Sequence, residues 1–264
     1  MIEKNLKLIL FSLIFPLISF ELKGEVLGRI EYPAQSIFSL EEGTIERWIK
    51  FEFDPGQTTE KQWLPKGAFF QFEIPEEKGD KGAIFSITVA LRNVGKYSKT
   101  GSACSFRIGL SIEGKEVPYP VFVDCTDWQN FWHHIAVSWK NGKELYVYID
   151  GKKTGEMKFP YSIIRDIPKK AKIIIGTPNP WYYPNLLVVD EIRISSIARN
   201  PDDLGFYKFP LLPDPYTLFL ENFENIENNK TKPFIADILQ KGNFEIKGGR
   251  ITDGKIGKGF AFSK

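Results

Sequence analysis

The sequence predicts an all-β protein built as a two-sheet antiparallel jelly-roll β-sandwich, and three observations support this fold class. No long segment has apolar residues at the i, i+3, i+4 and i+7 spacing of an amphipathic helix. Short apolar runs bounded by Gly, Pro, Asn or Asp recur instead, as is typical of strands separated by tight turns. The chain also has 22 Phe, 10 Tyr and 6 Trp, and flat side chains suit a pleated, half-buried surface.

Ten strand-like runs follow one another without an intervening helix, which is the pattern of a sandwich or jelly roll. In chain order they are SIFSL, TIERWIKFEF, AFFQFEI, AIFSITVAL, CSFRIGLSI, VPYPVFVDC, FWHHIAVSW, ELYVYID, AKIIIGT and NLLVVDEIRIS. Asn-Gly at 141–142 and Asp-Gly at 150–151 separate strand-like runs, and such pairs are strong short-range hairpin signals. We therefore expect two consecutive hairpins in this part of the chain.

The two histidines of the chain, His133 and His134, are adjacent within a predicted strand over 131–139. Neighbouring side chains of a strand point to opposite faces. The two imidazoles therefore cannot easily bind one metal ion together. We expect one histidine to pack with a hydrogen bond in a core, and the other to face solvent or the second sheet.

Composition and charge limit the classes of function. The 264 residues are 42% hydrophobic and 26% charged, which is ordinary for a globular protein of one large domain or two small ones. The net charge is +2, from 35 basic and 33 acidic residues. This leaves no excess of positive charge for a polyanion, so nucleic acid is not an expected partner.

The N-terminal region predicts a secretory signal peptide over residues 1–24. Lys4 and Lys7 precede an apolar run of 13 residues, LILFSLIFPLISF. This run is shorter than the roughly 20 residues that cross a bilayer, and it suits the apolar region of a signal peptide. We expect a secreted or cell-surface protein with no other membrane contact. A short uncleaved membrane anchor is the alternative.

Export would place the two cysteines in an oxidising compartment, where an even number favours a disulfide. Cys104 and Cys125 lie at the outer ends of two strand-like runs that the turn-like EGKE joins. A hairpin would bring these ends together, and a bridge closing a loop of about 20 residues is worth about 3 kcal/mol. Two buried thiols are the alternative.

Three motifs resemble laminin G-like domains of the concanavalin A-like lectin and glucanase superfamily. They are GTIERWIKFEF at 43–53, WHHIAVSWKNGKELYVYIDGK at 132–152 and IIIGTPNPWYYPNLLVVDEIRISSIAR at 173–199. They occur in family order and cover roughly residues 25 to 200. The resemblance implies a concanavalin A-like jelly roll over residues 25–208, while the function has to be argued from a site.

Residues 216–264 resemble the opening of a second such domain, including the stretch GKIGKGFAFS. Residues 28–39 and 249–263 form a weak internal repeat with a three-residue insertion. The segment 209–215 is rich in proline, as is usual at a domain boundary. Two interpretations stay open. Residues 216–264 open a truncated second domain of a tandem array, with neighbouring laminin G-like domains as partners, or strand 216–222 closes the first sandwich.

The carboxylates do not match the catalytic pattern of glucanases with this fold. Those enzymes place carboxylates on alternate residues of one strand, as E-x-D-x-(x)-E, since retaining hydrolysis needs two of them about 5 Å apart. Glu52-Phe53-Asp54 lacks the third member, and Asp190 and Glu191 are adjacent and so point to opposite faces. We therefore expect no enzyme activity, with an unrecognised glycan-active enzyme as the least favoured reading.

Asp190 is a candidate metal ligand. The strand pattern puts Val188, Asp190, Ile192 and Ile194 on one apolar face, where a carboxylate needs a hydrogen-bond or ionic partner. Backbone N–H groups or Arg47 would provide that partner. Alternatively, Asp190 binds a structural Ca²⁺, a metal that takes oxygen ligands.

The loop TPNPWYYPN at 177–185 is the leading candidate for ligand binding, through Trp181, Tyr182, Tyr183 and Asn185. Three prolines stiffen this loop, and exposed aromatic side chains on a rigid loop stack on sugar rings or anchor a protein. Alternatively, the aromatic side chains cover the end of the core. The leading hypothesis is a non-catalytic recognition or adhesion module that binds a glycan or an extracellular protein. A structural spacer in a tandem array is the alternative.

Overall fold

The computed structural model of the protein describes residues 28–52, 54, 66–73, 83–93, 104–112, 115–116, 121–140, 142–158, 167, 169–176, 187–236 and 244–262. The predicted signal peptide lies outside these residues. Within them the structure consists of strands and turns, and the helical element is a single 3₁₀ turn, Pro201–Asp203. No helix in these ranges is long and apolar enough to span a membrane.

The strands are β1 (Arg29–Pro33), β2 (Glu42–Phe51), β3 (Lys66–Glu73), β4 (Ala83–Asn93), β5 (Cys104–Ile112), β6 (Lys115–Glu116), β7 (Val121–Asp124), β8 (Trp132–Lys140), β9 (Glu144–Ile149), β10 (Lys152–Lys158), β11 (Lys172–Gly176), β12 (Leu187–Ser195), β13 (Thr217–Glu221), β14 (Ile226–Glu227), β15 (Lys230–Thr231), β16 (Phe234–Ile235), β17 (Phe244–Lys247), β18 (Arg250–Asp253) and β19 (Lys258–Ala261).

These strands form two antiparallel sheets. Sheet 1 has the order β14-β15-β17-β1-β11-β3-β4-β5-β6, and β7 also pairs with β5. Sheet 2 has the order β10-β9-β8-β2-β12-β13-β16, and β19 pairs with both β12 and β18. One core of buried side chains from both sheets lies between them. The predicted all-β antiparallel sandwich is confirmed.

Strict alternation along the central strands of sheet 2 produces this core. Ile45, Ile49 and Phe51 of β2 are buried between the sheets, while Glu46 and Trp48 lie on the outer face. On β8, the core side is formed by Ile135, Val137 and Trp139. Since side chains alternate along a strand, each of these strands has one mainly apolar face that is removed from water against sheet 1.

Both predicted hairpins are confirmed. Strands β8 and β9 pair across the Asn-Gly turn, where Gly142 has a φ of 70°. Strands β9 and β10 pair across Asp150 and Gly151, whose φ values are 49° and 76°. Two central residues with positive φ match a turn whose twist suits a two-residue hairpin, which explains the preference for Asp-Gly at this position.

The C-terminal residues 217–262 contribute strands to both sheets. Strands β13 and β19 pair with β12 of sheet 2, and β17 pairs with β1 of sheet 1. Four phenylalanines from this segment belong to the same core as β2 and β8: Phe219, Phe223, Phe260 and Phe262. The N–H of Gly28 donates to the carbonyl of Phe262 (3.0 Å). The division of the chain into domains, including any longer tandem array, stays a prediction.

A β-bulge in β12 corrects the predicted face of Asp190. Asp190 pairs with Trp48 and Arg193 pairs with Glu46, so β12 has one extra residue between these pairs. Glu191, in the bulge, has a φ of 50°. The extra residue reverses the face of the sheet to which the later side chains of β12 point. As a result Val189, Ile192 and Ile194 face the core. The prediction that Val188, Asp190, Ile192 and Ile194 share one face was therefore wrong.

Candidate functional site

The two histidines have separate partners on opposite faces of β8, as predicted. The Nδ1 atom of His133 lies 2.8 Å from the carboxylate of Asp150, and its ring stacks on Trp128 with the ring centroids 4.0 Å apart. The Nε2 atom of His134 lies 3.0 Å from the carboxylate of Glu46, and both side chains are fully buried. Each imidazole therefore serves a different local network.

Glu46 is the centre of a buried polar network on the outer face of sheet 2. Besides His134, it binds Arg193 through Nε (2.8 Å) and the backbone N–H of Gly205 (2.6 Å). Burial by itself raises the pKa of Glu46, but the hydrogen bond from His134 and the charge of Arg193 hold that pKa below its ordinary value. Gly205 follows the 3₁₀ turn and lies in the segment that connects β12 to β13, so the network attaches this connecting segment to sheet 2. We interpret it as structural.

Asp190 is fully buried, and backbone groups satisfy its carboxylate. It accepts hydrogen bonds from three N–H groups, those of Glu191 (2.7 Å), Lys255 (2.8 Å) and Ile256 (3.1 Å). Burial raises the pKa of Asp190 to about 7, against the effect of these donors. In the described part of the chain no group of three or more His, Cys, Asp or Glu side chains is placed to hold a metal. Calcium binding by Asp190 stays a prediction.

Arg47, the other partner considered for Asp190, lies on the opposite face of β2. Its side chain is buried among the core positions of Ile45 and Ile49. This burial lowers the pKa of the guanidinium to about 9. The bulge thus places Asp190 on the outer face with Trp48, away from Arg47.

The strand register brings the backbones of the two cysteines together. Ser105 of β5 pairs with Asp124 of β7, and the next pair along this ladder would be Cys104 with Cys125. Cys125 is fully buried, whereas the side chain of Cys104 lies outside the described residues. The disulfide stays a prediction that this register favours.

The predicted binding loop, with Trp181, Tyr182, Tyr183 and Asn185, lies outside the described residues. Its two anchor points are described. It leaves sheet 1 after Gly176, which pairs with Arg29, and it enters sheet 2 at Leu187, which pairs with Phe51. The loop therefore departs from the end of the sandwich at which β2 finishes and β18 begins.

A cleft opens at the same end of the sandwich, and we call it the edge cleft. It has a volume of about 140 Å³ and is lined by Asn229, Ile246, Gly248, Gly249, Arg250, Ile251 and Phe260. Phe260 is fully buried and belongs to the core, Ile251 is 38% exposed, and Asn229 and Arg250 provide the polar side chains. The lining joins β17 of sheet 1 to β18 and β19 of sheet 2. At about 140 Å³ the edge cleft is smaller than the roughly 300–1,000 Å³ of a usual small-molecule pocket.

The turn between β17 and β18 requires glycine, because of its backbone conformation and its close packing against the neighbouring residues of the cleft. Gly248 and Gly249 have φ values of 64° and 67°, which favour glycine at both positions. A Cβ atom on Gly249 would lie 2.5 Å from the ring of Phe260 and 2.5 Å from the carbonyl oxygen of Ala261. The backbone of Gly249 thus lies too close to the ring of Phe260 for any residue with a side chain to occupy this position.

Charged and aromatic side chains continue from the edge cleft across the outer face of sheet 2. Arg250 forms an ion pair with Glu52, at the end of β2. Two residues earlier on that strand, Lys50 places its Nζ atom 5.1 Å from the ring centre of Trp132. Trp132 and Arg250 are four strand spacings apart in sheet 2, which is about 19 Å. The paired residues between them are Lys50, Val188 and Ala261.

Sequence reasoning missed the edge cleft. The available signal was the Gly-Gly pair between FEIK and RITD, which indicates a hairpin turn. In the sequence, Asn229 stands out only as the first residue of a glycosylation sequon, Asn-Lys-Thr, and Arg250 only as part of the weak internal repeat. Their neighbours in the cleft come from strand pairing.

Comparisons with known proteins connect this architecture to a family. Residues 28–205 match the family model described as the concanavalin A-like lectin/glucanases superfamily. No curated protein matches the chain. One similar solved structure is a candidate carbohydrate-binding protein from Bacteroides ovatus, with 14% identity and a TM-score of 0.53. The match covers 84% of this chain and 59% of that one.

Two further solved structures are similar at lower TM-scores. A heptameric SAP-like pentraxin from Limulus polyphemus is 10% identical, with a TM-score of 0.47, over 85% of this chain and 86% of that one. The receptor-binding domain of botulinum neurotoxin mosaic serotype C/D is 14% identical, with a TM-score of 0.47, over 86% of this chain and 55% of that one. The chain thus spans less than two thirds of the Bacteroides protein and of the toxin domain. At such identities the likeness concerns the fold.

Proposed function

The chain belongs to the concanavalin A-like lectin/glucanases superfamily, and from this premise we propose that it is a non-catalytic recognition module that binds glycans through the edge cleft. The observation that carries the proposal is the composition of that cleft. Ile251, which is 38% exposed, offers an apolar surface, and Asn229 and Arg250 offer hydrogen-bonding side chains. A sugar ring has the complementary chemistry, with an apolar C–H face and hydroxyl groups around its edge.

The position of the predicted aromatic loop supports this site. Residues 177–186 start from Gly176 and end before Leu187, close to the strands that build the edge cleft. The proposed module would extend its contacts along this loop, with Trp181, Tyr182 and Tyr183 as further stacking surfaces and Asn185 as a polar contact. Recognition of a longer glycan chain would then use the edge cleft and the loop together.

The carboxylates near the site have structural partners, which supports a non-catalytic role. Glu52 pairs with Arg250, Asp190 accepts three backbone N–H groups, and Glu191 accepts the N–H of Leu211 (2.7 Å). Retaining hydrolysis needs one carboxylate as nucleophile and another as acid, about 5 Å apart. Carboxylates that hold the backbone in place are poorly suited to either role.

Glycan-array binding by the full chain tests the proposal, with Asn229→Gly as the site variant. Asn229 has a φ of 58°, which glycine adopts readily, so this change removes the amide without straining the turn. Asn228→Gly is the matched control, because Asn228 has a φ of 53° and does not line the edge cleft. We expect binding of one class of glycan, weakened at least several-fold by Asn229→Gly and unchanged by Asn228→Gly.

Further variants distinguish this proposal from its alternatives. Trp181→Ala should weaken binding of longer glycans if the loop extends the site. An array without any binding, on an exported and folded chain, would contradict glycan recognition and leave the spacer role. Release of reducing sugar from a bound glycan would contradict the non-catalytic assignment.

A further inference from the structure

We propose that Glu221 is a positioning residue of the edge cleft, because it holds Thr231 and thereby the hairpin that carries Asn229. The inference rests on the proposed glycan-binding function and concerns one of its polar contacts. Asn229 precedes β15 in the turn of the β14–β15 hairpin and lines the cleft from there. Because Asn229 is exposed, its place in the cleft depends on what fixes this hairpin.

The β14–β15 hairpin is too small to fix its own position. Each of its strands has two residues, and an isolated two-stranded hairpin is marginally stable at best. On one side, β15 pairs with β17, and the N–H of Ile246 donates to the carbonyl of Asn229 (2.9 Å). On the core side, the hairpin is held by Thr231, which is fully buried.

The carboxylate of Glu221 is the partner of Thr231 in the core. The hydroxyl of Thr231 donates to Oε2 of Glu221. The same oxygen accepts from the hydroxyl of Tyr32 on β1 (3.2 Å), and Oε1 accepts from the N–H of Phe223 (2.7 Å). Since Glu221 belongs to β13 of sheet 2 and Tyr32 to sheet 1, one carboxylate joins the hairpin to both sheets.

Burial makes the contacts of this carboxylate strict. Glu221 is 1% exposed, and burial raises the pKa of its carboxyl against the effect of the hydroxyl and backbone donors. Loss of a partner from a buried polar group costs more than the hydrogen bond contributes when it is made. A buried network whose members are all satisfied is rigid and specifies one arrangement. Thr231 therefore has one favourable place, and Asn229 lies only two residues before it.

Two threonine variants test the inference in the full chain. Thr231→Val removes the hydroxyl and keeps a branched side chain that suits a strand, whereas Thr231→Ser keeps the hydroxyl. Apparent affinity is measured from a concentration series on the same glycan array that tests the proposed function. We expect Thr231→Val to weaken binding at least several-fold, and Thr231→Ser to retain it.

Thr217→Val is the matched control for a loss of stability alone. Thr217 is a buried threonine of the same C-terminal segment, and its hydroxyl donates to the carboxylate of Asp214 (2.8 Å). It lies four residues from Glu221 along β13, which is about 13 Å. The variant loses the same kind of hydrogen bond but should leave glycan affinity unchanged.

A double-mutant cycle with Asn229→Gly shows whether the effect passes through Asn229. If it does, Thr231→Val should not weaken glycan binding further once Asn229→Gly is present. Tyr32→Phe removes the second hydroxyl at Oε2 and keeps the ring, so it should behave in the same way. Additive effects of Thr231→Val and Asn229→Gly would overturn the inference, as would equal effects of Thr231→Val and Thr217→Val on affinity.

The side-chain amide signal of Asn229 in two-dimensional NMR spectra tests the positioning separately from glycan binding. Its loss in Asn229→Gly identifies it. We expect the signal to shift or broaden in Thr231→Val and to coincide with the wild type in Thr231→Ser and Thr217→Val. An unchanged signal in Thr231→Val would overturn the inference, whatever the array shows. A shifted signal together with an array without binding would refute the proposed function but support the role of Glu221 in placing Asn229.

Discussion

Phe219→Ala is the most direct test of how residues 217–262 pack. Phe219 on β13 is fully buried in the core shared by the two sheets, and its ring meets the ring of Tyr32 on β1 edge to face, with centroids 4.6 Å apart. Truncation of a buried phenylalanine costs about 3–5 kcal/mol, of which an aromatic pair accounts for about 0.5–1.5 kcal/mol. We expect the free energy of unfolding to fall by about 4 kcal/mol.

Phe234→Ala is the matched control within the same segment. Phe234 is 43% exposed on β16, which pairs directly with β13. An exposed substitution of this kind changes stability by about 0.5 kcal/mol or little more. Urea denaturation followed by intrinsic fluorescence measures both variants, and an unchanged m-value would show that the shift reports stability.

Double-mutant cycles with Tyr32→Leu locate the effect in the contact between β1 and β13. Coupling of about 0.5–1.5 kcal/mol is expected for the pair of rings. A Phe219→Ala cost below about 1 kcal/mol, or a second transition that alone responds to it, would refute the packing of the C-terminal segment into this sandwich. In that case residues 217–262 would fold as a unit of their own.

Three further changes test other parts of the structure. Because burial raises the pKa of Asp190 to about 7, the folded state holds its proton more tightly than the unfolded state. Stability should thus rise by about 2–3 kcal/mol from pH 8 to pH 5, and fall as pH rises through about 7. Asp190→Asn should remove this component in urea titrations at each pH. Glu46→Gln should cost about 3–5 kcal/mol, since it leaves buried Arg193 without its carboxylate. Gly249→Ala should cost more than about 1 kcal/mol by thermal unfolding, through its φ of 67° and its contact with Phe260. An unchanged free energy of unfolding in Glu46→Gln or in Gly249→Ala would contradict the contacts described for that residue.

The face assignment of β12 shows the limit of reading strands by alternation. The letters VVDEIRIS predict one apolar face that includes Asp190, but a single extra residue at Glu191 shifts everything after it to the other face. A one-residue slip reverses every later side chain of a strand. No local pattern in this stretch marks the bulge, which depends on how Trp48 and Glu46 pair with β12.

The edge cleft shows a second limit. Asn229, the Gly248–Gly249 turn and Phe260 are well separated in the sequence, and none belongs to a recognisable ligand motif. Sequence reasoning selected Trp181, Tyr182 and Tyr183, because aromatic residues between prolines are conspicuous. The cleft residues become neighbours only when β17 pairs with β1 and β19 pairs with β12.

The sequence by itself determined the features that depend on local geometry. Period-two patterns, Asn-Gly and Asp-Gly turns and the family motifs predicted the antiparallel sandwich, both hairpins and the opposite faces of His133 and His134. The tertiary structure alone decided the pairing of residues 217–262 with β1 and β12, the backbone partners of Asp190 and the burial of Glu46 with His134 and Arg193. The physical reason is the separation along the chain over which each effect acts. Alternation and turn preference act over a few residues, whereas strand register and the burial of charge depend on contacts between distant parts of the chain.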